Sequence, residues 1–270
     1  MINKQPQGGA KKGWTNIGKF FGGLFLFFGF IILLNFGSQI INPPPPTPTI
    51  DPASIPREGN IVDLISANEI EVKPRGAGID ELEIEIRRLV EELLEVEISV
   101  GTYFLSHSGA VQNMVVRAPA NILLETDAWL EVTVEVACAN MLREVPFSKD
   151  SFDIVRAPDQ SELQTLMEFL EGADDLGWKY TEFDVIQAAV WIVTDDANFE
   201  DLGTLVGSYT TLGPQTRSID EDETARAMFL VDEADIDITD KEIWLDRNRI
   251  ANGVLDTSLA DWIREREEGK

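Results

Sequence analysis

Between Asn60 and Ala137 apolar residues return mostly at every second position, and this periodicity commits that stretch of the chain to β-strands. The runs IVDLI, LEIEI, VEISV, TYFL, MVV, NILL and LEVTVEVA are short and are separated by Gly, Pro, Asn and Asp. Leu130–Ala137 alternates most cleanly, with Leu130, Val132, Val134 and Val136 on one face and Glu131, Thr133 and Glu135 on the other. Several such runs at this spacing predict an antiparallel β-sandwich. Asp80–Glu95 carries two patterns. Leu82, Ile86, Leu89, Val90 and Leu93 would share a helical face, with Asp80 as N-cap and Glu83 three residues on, but two strands are the preferred reading.

After Pro146 the period lengthens. Ser161–Leu170, Thr181–Thr194, Asp220–Asp232 and Thr257–Glu268 read as helices joined by Gly- and Asp-rich turns. Strands followed by helices predict an α+β domain, with a β-sandwich over residues 59–146 and a mainly helical part over 147–270. No linker-like composition separates the two parts, so one compact unit is expected.

The N-terminal fifth differs in kind. Phe20–Ile41 contains no charged residue and is long enough to cross a hydrocarbon core as a helix. Lys4, Lys11, Lys12 and Lys19 precede it and the next basic residue is Arg57, which predicts a cytoplasmic N-terminus. The run exceeds the apolar part of a usual signal peptide and no small-x-small cleavage pattern follows. The expectation is a basic cytoplasmic tail over 1–16, an uncleaved transmembrane signal anchor over 17–41 and a proline-rich stalk over 42–58. Asn42–Pro56, NPPPPTPTIDPASIP, suits an extended polyproline spacer because each proline fixes φ and lacks a donor. All forty-eight acids lie beyond residue 50, against eighteen Lys and Arg, a net charge of −30. Such a field repels nucleic acid and favours cationic partners.

Two residues stand out in the remainder. In TEFDVIQAAVWIVTDD, Thr181 and Asp184 have capping-box spacing, and apolar residues occupy both sides of the helix that follows. Gln187 falls between Phe183 and Trp191 on one stripe, so its amide is expected inside the core, where both its oxygen and its nitrogen need partners. Cys138, the single cysteine, ends the clearest strand. It is a buried small hydrophobe, an intermolecular link or a reactive group.

Cys138-Ala139-Asn140 followed by Pro146, and Gln187-Ala188-Ala189-Val190-Trp191 followed by Thr194-Asp195, resemble the two signature segments of bacterial surface thioester domains. The resemblance covers two short segments within roughly residues 130–200. It implies that the Cys138 sulfur and the Gln187 side chain condense with loss of ammonia, giving an internal thioester that acylates an amine on a neighbouring surface. Ile186 stands where the family has threonine and Ala137 where an aromatic residue is common, and forty-nine positions separate the pair. A relative that keeps the fold without the bond accommodates these departures.

Other chemistry is sparse. His107, the single histidine, lies in SHSG and reads as a solvated turn residue. Asp195, Asp196, Asn198, Glu200 and Asp201, and again Asp235, Asp237, Thr239 and Asp240, are faintly like calcium loops but lack the required glycine and terminal glutamate. No cofactor and no metal are expected. The functional expectation is a membrane-anchored extracytoplasmic interaction or adhesion module whose partner is a protein or a surface amine outside the cytoplasm. Cys138 and Gln187 would supply at most a single-turnover acyl transfer. The alternative is a non-catalytic accessory or scaffold subunit of a membrane complex.

Overall fold

The computed structural model describes residues 55–156, 161–173, 177–203 and 218–266, and residues 52–270 form one compact unit. The expected membrane helix requires correction. Among the described residues no helix is long and apolar enough to cross a membrane. The longest, Phe183–Asp195 and Glu221–Glu233, have 13 residues each, about 20 Å of rise against roughly 30 Å of hydrocarbon. The run 17–41, the tail 1–16 and the stalk as far as residue 54 lie outside the described residues. What is described is a mixed α/β fold of two sheets with helices.

In chain order the elements begin with β1 (Arg57–Asn60), α1 (Ile61–Ser66), β2 (Ile70–Gly76) and β3 (Glu81–Arg88). There follow β4 (Leu94–Ile98), β5 (Tyr103–Ser106), β6 (Asn113–Val116), β7 (Ala120–Leu124), β8 (Leu130–Ala139) and β9 (Phe152–Val155). The helical half consists of α2 (Glu162–Glu171), α3 (Phe183–Asp195), α4 (Phe199–Leu202), α5 (Glu221–Glu233), α6 (Arg247–Gly253) and α7 (Thr257–Glu265), with short 3-10 turns between. Asp80–Glu95 therefore forms β3 and the start of β4. The polar residues Glu81, Glu83 and Glu85 alternate with the fully buried Leu82, Ile84 and Ile86, a match to period two that a helix could not reconcile with one buried face.

The expected antiparallel sandwich also needs amending. Strands β2-β3-β8-β6-β5-β9 form one antiparallel sheet of six, and β1-β4-β7 form a second in which β1 and β4 run parallel. The larger sheet curls until its edges meet. Arg75 bridges to Ser151 beside β9, and Gly76 N–H donates to Asp150 O at 3.1 Å. β9 joins the sheet from beyond Pro146. Pro74 lies on β2, an edge strand of this sheet, where a missing donor is tolerated.

The register defines the two faces of this sheet. Leu82 pairs with Val134, Val116 with Val136, Met114 with Cys138 and Phe104 with Met114, so one buried set lines the inside of the curl. On the other face Glu131, Thr133 and Glu135 are exposed, but Ala137, Ala139 and Val115 are buried. The change along β8 marks where α3 packs against it. Small side chains there let the helix approach closely, which the alternation of β8 alone does not reveal.

α3 is buried all round, with Val185 through Ile192 inaccessible or nearly so. Burying a Val, Leu or Ile side chain stabilises by about 1.5–3 kcal/mol, so this helix is held by its surroundings more than by its caps. Its start differs from the expected Thr181 capping box: Glu182 is the N-cap and its side chain makes no capping bond. A true capping box opens α5 instead, where Asp220 accepts from Glu223 N at 2.9 Å and Glu223 accepts from Asp220 N at 2.7 Å.

Candidate functional site

Cys138 and Gln187, forty-nine residues apart, meet at the junction of β8 and α3. The contact follows from the ladder. Beside β8, strand β3 pairs as far as Glu81 opposite Glu135, and Val136 N–H donates to Asp80 O at 2.9 Å. In an antiparallel pair the same edge of β8 next presents the N–H and C=O of Cys138. No strand continues there, because the chain turns away at Gly78, whose φ of +147° suits glycine. The Gln187 carboxamide takes the vacant place. Cys138 N–H donates to Gln187 Oε1 at 2.7 Å, and Gln187 Nε2 donates to Cys138 O at 2.7 Å. Both residues are 0% exposed. The expected two partners for the buried amide are thus supplied by the main chain of one residue, and that residue is the cysteine.

The thiol lies on the inner face of the curl. Its Sγ lies 3.5 Å from Ile79 O, to which the S–H donates. Burial, and after it the charge of Asp80, pushes the Cys138 thiol far above its ordinary range, so it rests as neutral S–H. Just beyond, Asn140 adopts φ +71°, and its Oδ1 accepts from Asn113 Nδ2 at 2.7 Å. Asn113 Oδ1 in turn accepts from Ser106 N at 3.0 Å. Asparagine tolerates the left-handed region, so Cys138-Ala139-Asn140 ends its strand in a sharp, side-chain-braced turn.

Carboxylates collect near the N-terminal end of α3. Asp184 is raised above its ordinary range by burial first, then by Glu182, Asp220 and Asp80. Glu223 is raised by burial and by the charges of Asp220 and Asp184, which outweigh a main-chain hydrogen bond and Arg226. Arg226 pairs with Glu182 at 3.7 Å. This local excess of negative charge could not be assigned from composition, since acids are spread over the whole domain.

The remaining predicted residues have structural partners. The first calcium-like run supplies caps: Asp196 Oδ1 accepts from Glu242 N at 2.9 Å, and Asn198 and Asp201 form a capping box on α4. In the second, Asp237 accepts from the N–H and hydroxyl of Thr239. Among the described residues no group of three or more His, Cys, Asp or Glu is arranged to hold a metal ion. His107 is solvated as expected, its side chain 52% exposed, yet it is not alone. Its Nδ1 lies 2.9 Å from Ser151 Oγ and its Nε2 2.9 Å from Asp153 Oδ1, a cross-strand polar chain on the open face of the sheet edge. Nothing in SHSG signals these partners, because they arrive only through the β5–β9 pairing. The carbonyl of Ile79 over the thiol was equally invisible in sequence.

No protein-family profile, no curated protein and no solved structure matches this chain. The functional reading therefore rests on the site itself.

Proposed function

We propose that this domain is an interaction module that works by attachment, in which Cys138 and Gln187 condense to an internal thioester and then acylate an amine on a protein or surface partner. The observation that carries the reading is the seating of the Gln187 carboxamide on the main chain of Cys138 in a site closed to water. Fixing the reacting residues together supplies a large proximity advantage, and a dry site protects the product from hydrolysis. The chemistry balances without a cofactor. Sγ bonds to the Gln187 side-chain carbonyl carbon, the bond from that carbon to Nε2 breaks, and the thiol proton leaves with Nε2 as ammonia. An amine then takes the acyl group, the C–S bond breaks, and the thiol regains a proton. The net charge of −30 beyond residue 50 draws ammonium groups towards the domain.

A specific observation favours a second reading, in which the pair is a clamp in a non-catalytic scaffold. Both heteroatoms of the amide bond main-chain groups, and the thiol proton is given to Ile79. Forming the thioester requires the carboxamide to leave two hydrogen bonds. Intact mass of the purified chain separates the readings. A deficit of one ammonia, abolished by Cys138→Ala and converted by methylamine to an amine adduct, supports the thioester. A full-mass protein that gains nothing from methylamine refutes it and leaves the clamp.

A further inference from the structure

We infer that the turn between β2 and β3, residues 77–80, is a lid over the Cys138–Gln187 pair, with Ile79 as its latch and rigid strand ends on both sides as its hinges. The inference rests on the proposed attachment function for its purpose, but its geometry stands apart from whether the thioester forms. On the β2 side the hinge is tight: a Cβ built at Gly76 would lie 2.6 Å from Phe147 O and 2.7 Å from both Phe147 N and the Pro146 side chain. On the β3 side, pairing with β8 resumes at Glu81. Between them the cover is thin. Ala77 and Asp80 are exposed, and a Cβ at Gly78 would meet nothing nearer than Asp80 Oδ1 at 3.7 Å.

Two kinds of contact hold the turn down. Asp80 O accepts from Val136 N, and Ile79 gives its side chain to the core while its carbonyl accepts the Cys138 S–H. The ladder bonds that would have fastened Gly78 to Cys138 are made by Gln187 instead. Lifting the turn therefore leaves the Gln187–Cys138 bonds intact while uncovering the sulfur, which is what a reagent entering from solvent requires. Opening of this kind is a local event that need not involve the rest of the fold.

The test reads thiol access directly. The full chain is first treated with methylamine, which frees the sulfur if a thioester is present and changes nothing if it is absent. The rate of N-ethylmaleimide addition to Cys138 is then followed by intact mass at low urea concentrations. The lid predicts a rate nearly independent of urea below the unfolding transition, and an increase of about tenfold in Ile79→Ala, as expected for removing a half-buried anchor. Phe147→Ala, on the neighbouring segment, should leave the rate within about twofold, since Phe147 is already 61% exposed. A rate that climbs steeply with urea in wild type shows access by global unfolding and overturns the lid. Acceleration by Phe147→Ala without acceleration by Ile79→Ala overturns it too. The mass measured before methylamine reports the thioester separately, so failure of either idea is seen without the other.

Discussion

Replacing Gln187 by leucine should cost far more than its size suggests. The two side chains are similar in volume, so little cavity is created, but Cys138 N–H and C=O lose both partners at a site of 0% exposure. Each orphaned buried group costs about 1–3 kcal/mol, giving a loss of about 2–6 kcal/mol. For a domain of this size that corresponds to a fall in Tm of roughly 5–20 °C. The experiment belongs in a Cys138→Ala background, which keeps the main chain of residue 138 and removes any thioester. Urea unfolding followed by tryptophan fluorescence gives the difference. A loss below about 1 kcal/mol, the size of an ordinary surface substitution, would show that the main-chain groups find water or other partners and would refute the strand-substitute role of the carboxamide. Gln187→Glu adds a pH axis. The oxygen that replaces Nε2 faces the Cys138 carbonyl, so the ionised acid is disfavoured by burial and by the missing donor, and its folded pKa lies above the unfolded value of about 4.3. Stability is then fully present below that unfolded value and is lost as pH rises through the folded one. The variant should approach the Gln187 parent near pH 4 and fall behind it at pH 7. A gap that does not change with pH contradicts the assignment.

Two further substitutions test the helical half. Asp184 is held above its ordinary range by burial first and then by Glu182, Asp220 and Asp80, so its contribution is fully present below about pH 3.9 and is lost as pH rises through its folded value. Asp184→Asn should raise Tm at pH 7 and lose that advantage near pH 3; a wild type that is the more stable at pH 7 would contradict the sign. Asp220→Ala removes the side-chain acceptor for Glu223 N while leaving the residue 220 N–H free to donate to Glu223, and it should lower stability in urea unfolding by about 1 kcal/mol. No measurable loss would mean that the box is satisfied equally well by water.

Much of the fold was legible because burial imposes a period. β3 alternates between fully buried aliphatics and more accessible acids, and β8 does so around Val134 and Val136 although Leu130 at its start is exposed; that pattern requires one face inside whatever the partner strands are. α3 was legible as a buried helix, and Gln187 as a buried amide, for the same reason. Helix boundaries were less so. Thr181 has the spacing of a cap, but the helix begins two residues later behind Glu182, because the buried residues that follow are held by tertiary packing and need no capping bond. The acidic runs resembled ion-binding loops since caps and calcium ligands draw on the same short polar side chains.

Local pattern told which residues lie inside, since a side chain's hydrophobicity and its spacing along a helix or strand are properties of the chain itself. It singled out Cys138 and Gln187 as anomalous and named two needs of the amide. Only the folded chain decided how those needs are met. β3 stops pairing at Glu81, Gly78 turns the chain away, and the vacated edge of β8 takes the carboxamide from α3. The parallel β1–β4 pair, the meeting of β2 with β9 and the Ser151 and Asp153 partners of His107 are of the same kind. Each depends on main-chain pairing between segments far apart in sequence, the His107 contacts by way of the β5–β9 ladder, and every residue carries those main-chain groups, so no side-chain pattern announces them.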